Sequence, residues 1–166
     1  MDSSRRRCIV VDTNVLAIAD GLHDGASVMC VQQCVELVAQ LESGVPLAID
    51  TGDRILLEYL GRLNTSGRSG PAATLAIRLW RTRLGAREHL HAVDVTPIGD
   101  YGEGFEEVPE ALRDFDLDDL KFIAVAVAEE CKPEIYLGLD GEWWDRRRDF
   151  VEAGVDLQFL CSADLR

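Results

Sequence analysis

Three aspartates far apart in the chain stand in similar places. Asp12 closes the β-branched run 8–12, Cys-Ile-Val-Val-Asp; Asp140 closes the apolar run 135–140; and Asp119 opens an apolar stretch that continues to Ala128. Carboxylate oxygens are hard donors, so several brought together would hold Mg²⁺ or Mn²⁺. One or two such ions, about 3.5–4 Å apart when paired, activate water and stabilise in-line displacement at phosphorus. No Ser or Cys nucleophile triad, glycine-rich phosphate loop or Gly-x-Gly-x-x-Gly motif is evident, which leaves water as the expected nucleophile.

The segment 114–128 reads Asp-Phe-Asp-Leu-Asp-Asp-Leu-Lys-Phe-Ile-Ala-Val-Ala-Val-Ala. From Leu120 onward Lys121 is the only clearly polar residue, which predicts a helix apolar nearly all round and lying inside the domain against a sheet. At 3.6 residues per turn Asp119 shares a face with Phe122, Ile123 and Ala126 and points inward. There it needs a cation, hydrogen bonds or a metal to offset lost hydration. Asp116 falls where an N-cap belongs and Asp118 beside Lys121, so both read as partners of the helix terminus. For Asp12, followed by Thr13 and Asn14, capping the next helix and lining a site are equal readings. Asp140, followed by Gly141, is equally a turn residue or a site residue.

The elements that would position these acids alternate. Strands are expected at 8–12, 46–49, 90–95, 135–140 and 155–160, with helices at 15–19, 24–41, 53–63, 71–87, 120–128 and 145–153. This order predicts a three-layer α/β/α sandwich on a mainly parallel, about five-stranded sheet. Right-handed crossovers put strand ends and following helix starts on one edge, where ligands of open α/β sheets gather. Asp12, Asp119 and Asp140 would converge there. In helix 53–63 the stripe Ile55, Leu56, Tyr59, Leu60 and Leu63 faces the core. Glu58 lies opposite, in line with Arg54 and Arg62, so its spacing reads as solvated helix ion pairs. Arg78, Arg81, Arg83 and Arg87 in helix 71–87 are the best candidates for a phosphate grip. Segment 64–70 reads as a loop and 101–109 as a mobile acidic one, while His89 and His91 read as structural.

With 166 residues and 47% hydrophobic content, the chain is expected to form one domain over 1–166, with its core at about 7–165. No stretch could span a bilayer, and the apolar run behind the basic N-terminus is interrupted at Asp12, so a cytoplasmic protein without a signal peptide is expected. A net charge of -13 excludes a generic nucleic-acid coat but not a nuclease, because divalent cations cancel an acidic site. Cys8, Cys30, Cys34, Cys131 and Cys161 are odd in number and contain no Cys-x-x-Cys pair, so neither a disulfide framework nor a zinc knuckle is expected. Cys30 and Cys34, one helical turn apart, read as core packing.

Taken together, Val-Asp-Thr-Asn at 11–14, Ile-Leu-Leu-Glu-Tyr-Leu at 55–60, Asp-x-Asp-Asp-x-Lys-Phe-Ile-Ala-x-Ala at 116–126 and Gly-Leu-Asp at 138–140 resemble the PIN-domain nucleases, from Cys8 to about Leu165. Each piece alone is weak; their order and spacing are more specific. The resemblance implies an acidic quartet of Asp12, Glu58, Asp119 and Asp140. Asp12, Asp119 and Asp140 would be ligands of Mg²⁺ or Mn²⁺, and Glu58 a ligand or water-positioning group. Thr13, Asn14 and Asp116 would be supporting residues. Gly138 departs from the pattern, since many relatives carry a Ser or Thr there, and Asp145 is the nearest substitute. The implied activity is endonucleolytic hydrolysis of single-stranded RNA. Some relatives are toxins of toxin–antitoxin pairs, which adds an antitoxin protein and a homodimer as expected partners. A PIN-fold module that binds RNA or protein without turnover is the alternative. A receiver-like phosphoacceptor ranks low, because Val11-Asp12-Thr13 lacks that fold's acid pair after the first strand.

Overall fold

The structure, a computed structural model, describes residues 7–63, 70–85 and 89–165. Most of the expected loop 64–70 and Arg87 lie outside the described residues. In chain order the elements are β1 (Val10–Val11), α1 (Thr13–Ala19), α2 (Val28–Glu42), β2 (Leu47–Asp50), α3 (Arg54–Leu63), α4 (Pro71–Thr82), β3 (Leu90–Val93), β4 (Pro97–Ile98), β5 (Gly104–Phe105), α5 (Leu120–Ala128), β6 (Ile135–Leu137), α6 (Gly141–Asp145), α7 (Arg147–Glu152) and β7 (Leu157–Phe159).

The architecture is mixed α/β, with seven α-helices and three small sheets among the described residues. One sheet is parallel with strand order β1-β6-β7, a second pairs β2 with β3 in parallel, and the third is the antiparallel hairpin β4-β5. The expected single five-stranded sheet is thus divided. β1 is only two residues long because the chain turns into α1 directly after Asp12. Its link to β2 is reduced to one bridge, in which Ile9 N donates to Pro46 O at 3.0 Å and Ala48 N to Ile9 O at 2.8 Å.

Helix α5 carries the centre of the core: all its residues from Leu120 to Ala126 are buried, as its sequence demands. The apolar stripe of α3 packs against it, and α1, whose Val15, Leu16 and Ile18 are buried, packs against α3 and β6.

Four expectations are corrected. Segment 101–109 is no featureless loop: β4 and β5 pair, Phe105 and Val108 are buried, and Glu107 accepts the Thr96 N–H at 2.9 and 3.0 Å. Two apolar anchors in an acidic run suffice to fold it back on the domain. The last helix is two short ones, broken at Arg146. Helix α4 ends at Thr82. Finally, Cys30 and Cys161, 131 residues apart, form a disulfide that fastens the C-terminal segment to the first turn of α2. Asp164 reinforces it by accepting the Ser27 N–H at 2.9 Å. The partners lie too far apart along the chain for spacing to reveal them.

Candidate active site

Asp12 is buried, with 3% of its surface exposed, between the end of β1 and the start of α1. Its Oδ2 accepts the Asn14 N–H at 3.2 Å, so it caps α1 and faces the interior at once. Asp140 is the N-cap of α6, where Oδ1 accepts the N–H groups of Glu142 at 3.0 Å and Trp143 at 3.3 Å. Its Oδ2 accepts from the Asn14 amide Nδ2 at 3.4 Å, so Asn14 joins the two strand ends. Asp119 stands at the N-terminus of α5, and its Oδ2 accepts from the indole N–H of Trp143 at 3.0 Å. That indole is fully buried, stacked on Phe150 at 4.8 Å and edge-on to Phe115 at 4.9 Å, which fixes the donor.

The electrostatics follow from this placement. Burial first, then the charges of Asp119 and Asp140, push Asp12 up to about 8 against the opposing Asn14 N–H. Burial and then Asp140 push Asp119 up to about 7, opposed by the Trp143 hydrogen bond and Lys121. Asp140 is raised as well, chiefly by burial, with its two backbone N–H partners opposing. Among the described residues the oxygens of these acids do not all fall within 4.8 Å of one another, so the ring is loose. Carboxylate oxygens are the donor type that Mg²⁺ takes, with waters filling its remaining positions.

Glu58 faces this region, contrary to the solvated role its spacing suggested. It accepts from the Thr13 hydroxyl and pairs with the Lys121 ammonium. Helix α3 is flanked by both α1 and α5, so a side chain outside its apolar stripe still meets neighbours. The arginines expected to pair with Glu58 have other partners: Arg54 binds Asp50 at 3.2 Å, and Arg62 donates to Asn14 Oδ1 at 3.3 Å.

Lys121 and Trp143 are the site residues that spacing missed. Lys121 is 9% exposed and also donates to the Asp118 carbonyl. A legible signal existed: a lysine on a helix apolar all round must find an acid.

Asp116 lies outside the helix start. Its Oδ1 accepts the Asp118 N–H and its carbonyl the Asp119 N–H, both at 3.0 Å, which shapes the turn that delivers Asp119. Asp145 is exposed at the end of α6 and does not take up the support of Asp140. At Gly138 an added Cβ would stand 2.6 Å from Ile18 Cδ1, so a hydroxyl-bearing residue would require the buried Ile18 side chain to move. The α6 backbone and Asn14 support Asp140 instead. Among the described residues the arginine grip is not assembled. Arg78 and Arg81 are exposed on α4. Arg83 is held by Asp53 at 3.1 Å, by the Trp80 carbonyl at 2.6 Å and over the Trp80 ring at 3.5 Å. Asp50, a further buried strand-end acid, is spent locally: it accepts the N–H groups of Arg54 at 3.0 Å and Ile55 at 2.9 Å.

The Trp143 bond yields a prediction. Trp143→Phe removes the donor that favours ionised Asp119, so the acid limb of any pH–rate profile moves to higher pH, with kcat at the plateau changed much less. A pH–rate series on both proteins checks it; an unmoved limb contradicts the positioning role.

No family model matches the chain, and neither a curated protein nor a solved structure does.

Proposed function

We propose that this chain is a metal-dependent endoribonuclease of the PIN kind, hydrolysing phosphodiester bonds in single-stranded RNA. The observation that carries the reading is the linkage of Asp12, Asp119 and Asp140, from three separate segments: Asn14 bonds both Asp12 and Asp140, and Trp143 bonds both Asp140 and Asp119. The parallel strands support the fold side of it: counting the Ile9–Leu47 bridge, they lie in the order β3-β2-β1-β6-β7. The choice of RNA rests on the sequence resemblance.

In this reading Asp12, Asp119 and Asp140 hold Mg²⁺ or Mn²⁺, which supplies water activation and charge stabilisation at phosphorus. The remaining chemistry belongs to the side chains. Asn14 orients Asp140 and Trp143 orients Asp119. Glu58, fixed by Thr13 and Lys121, positions a water or further ligand. Arg62 donates to Asn14, the residue that also bonds Asp140, and in this reading supplies positive charge beside the acids. A toxin role, with an antitoxin protein covering this edge and a homodimer, belongs to the same proposal.

The test is cleavage of labelled single-stranded RNA by the purified chain, with single-stranded DNA alongside. Cleavage in Mn²⁺ or Mg²⁺ that stops in EDTA supports the reading. Cleavage that persists in EDTA overturns the mechanism, and binding of RNA with no turnover in either metal favours the non-catalytic module. Because the carboxylates must be ionised to take up a cation, activity at subsaturating metal should rise with pH through about 7 to 8, following Asp119 and Asp12. A flat profile from pH 6 to about 8.5 contradicts this.

A further inference from the structure

Two groups of side chains among the described residues, neither of them the three acids, bring three metal-ligating atoms within 4.8 Å of one another. In one, Cys30, Cys34 and Cys161, two of the sulfurs are already bonded together. The other joins Cys8, His91 and Glu129, and here the thiol is free. A second free thiol adjoins it: Cys131 Sγ is 2.7 Å from Cys8 Sγ. The carboxylate ties the group together, with Oε2 3.3 Å from His91 Nδ1 and Oε1 accepting the Cys131 N–H at 3.4 Å.

These residues come from three places in the chain, namely the approach to β1, the strand β3 and the end of α5. Cys8 precedes β1 whereas Asp12 follows it, and Glu129 ends α5 whereas Asp119 begins it. The cluster therefore lies at the far ends of the two elements that carry the acidic site, about 13–15 Å away by strand and helix rise. It cannot be part of that site.

We infer that Cys8, Cys131, His91 and Glu129 form a Zn²⁺ site that staples the opposite edge of the domain. The donor set selects the metal. Two thiolates and an imidazole are soft or borderline ligands that favour Zn²⁺ over Mg²⁺ or Mn²⁺, and a carboxylate completes a four-coordinate shell. Tetrahedral Zn–S bonds of about 2.3 Å set two sulfurs about 3.7 Å apart, so the pair parts by about 1 Å on binding. The ion has an entry path, because the His91 side chain is 50% exposed and Glu129 15%. Binding here fastens β1, β3 and α5 together without touching a phosphate-processing group, so it is independent of the proposed nuclease activity.

The test titrates Zn²⁺ into the chelator-stripped full chain against a chromophoric chelator, in oxygen-free buffer without reductant so that Cys30–Cys161 stays bonded. One Zn²⁺ per chain is expected. Cys8→Ser and Cys131→Ser each weaken it more than about tenfold, whereas Cys34→Ser and Asp119→Asn leave it in place. Co²⁺ in the unaltered protein gives a second readout that needs no variant to fold: thiolate-to-metal absorption is expected. No bound Zn²⁺, no thiolate band with Co²⁺, or binding unchanged in Cys8→Ser overturns the site. So does a free-thiol titre of one in the denatured protein, since Cys8 and Cys131 would then be oxidised to each other while Cys34 alone stayed free.

Discussion

Asp12→Asn and Asp119→Asn should each abolish RNA cleavage, by about 10³-fold or more, while making the metal-free protein more stable at pH 8. The opposite signs follow from one cause. Asp12 is pushed up to about 8 in the folded chain, from an ordinary value of 3.8. Between those values the native state binds more protons than the unfolded state, so stability falls as pH rises through this window. The destabilisation is absent below about pH 4 and complete above about pH 8. Asparagine keeps the shape and the acceptor for the Asn14 N–H but carries no charge to repel Asp119 and Asp140. Relief of about 2 kcal/mol would raise Tm by about 5 °C at pH 8 and by far less at pH 5. A divalent cation neutralises the same repulsion, so in Mn²⁺ the ranking reverses and the unaltered protein melts highest. Thermal melts at both pH values, in EDTA and in Mn²⁺, check this. Asn variants that melt lower than the parent at pH 8 in EDTA contradict it, because the acids would then be stabilising and not mutually repelling.

Breaking the Cys30–Cys161 bond should cost about 4 kcal/mol, lowering Tm by roughly 10 °C. The bond closes a loop of more than a hundred residues, the geometry in which a cross-link removes most freedom from the unfolded chain. It also holds the 3₁₀ turn Ser162–Asp164 on the N-terminus of α2, where Asp164 and Ser27 meet. Cys161→Ser should reproduce the effect of reduction, and a reductant should then add little. Mass measurement of alkylated protein before and after reduction fixes the pairing. Equal melting temperatures with and without reductant would contradict the staple.

The sequence made some of this legible. The β-branched run before Asp12 marked β1, the apolar run before Asp140 marked β6, which stops at Leu137, and the apolar run after Asp119 marked α5, because local pattern alone determines such elements. Side-chain partners depended on packing that no local pattern encodes. Glu58 read as solvated because helix spacing knows only its own helix, whereas Thr13 and Lys121 reach it from α1 and α5. Arg83 read as free charge because nothing nearby in sequence pointed to Asp53. The hairpin β4-β5 was hidden by its acidic composition, its two buried apolar residues being too few to form a period. The Cys30–Cys161 bond, 131 residues long in sequence, is invisible to spacing of any kind.

The most direct test is calorimetric titration of Mn²⁺ into the purified chain at pH 8, repeated with Asp140→Asn. A saturable heat is expected for the parent, lost or weakened more than about tenfold in the variant. A parent that takes up no Mn²⁺, or a variant that binds it undiminished, would contradict the claim that these three acids share a cation.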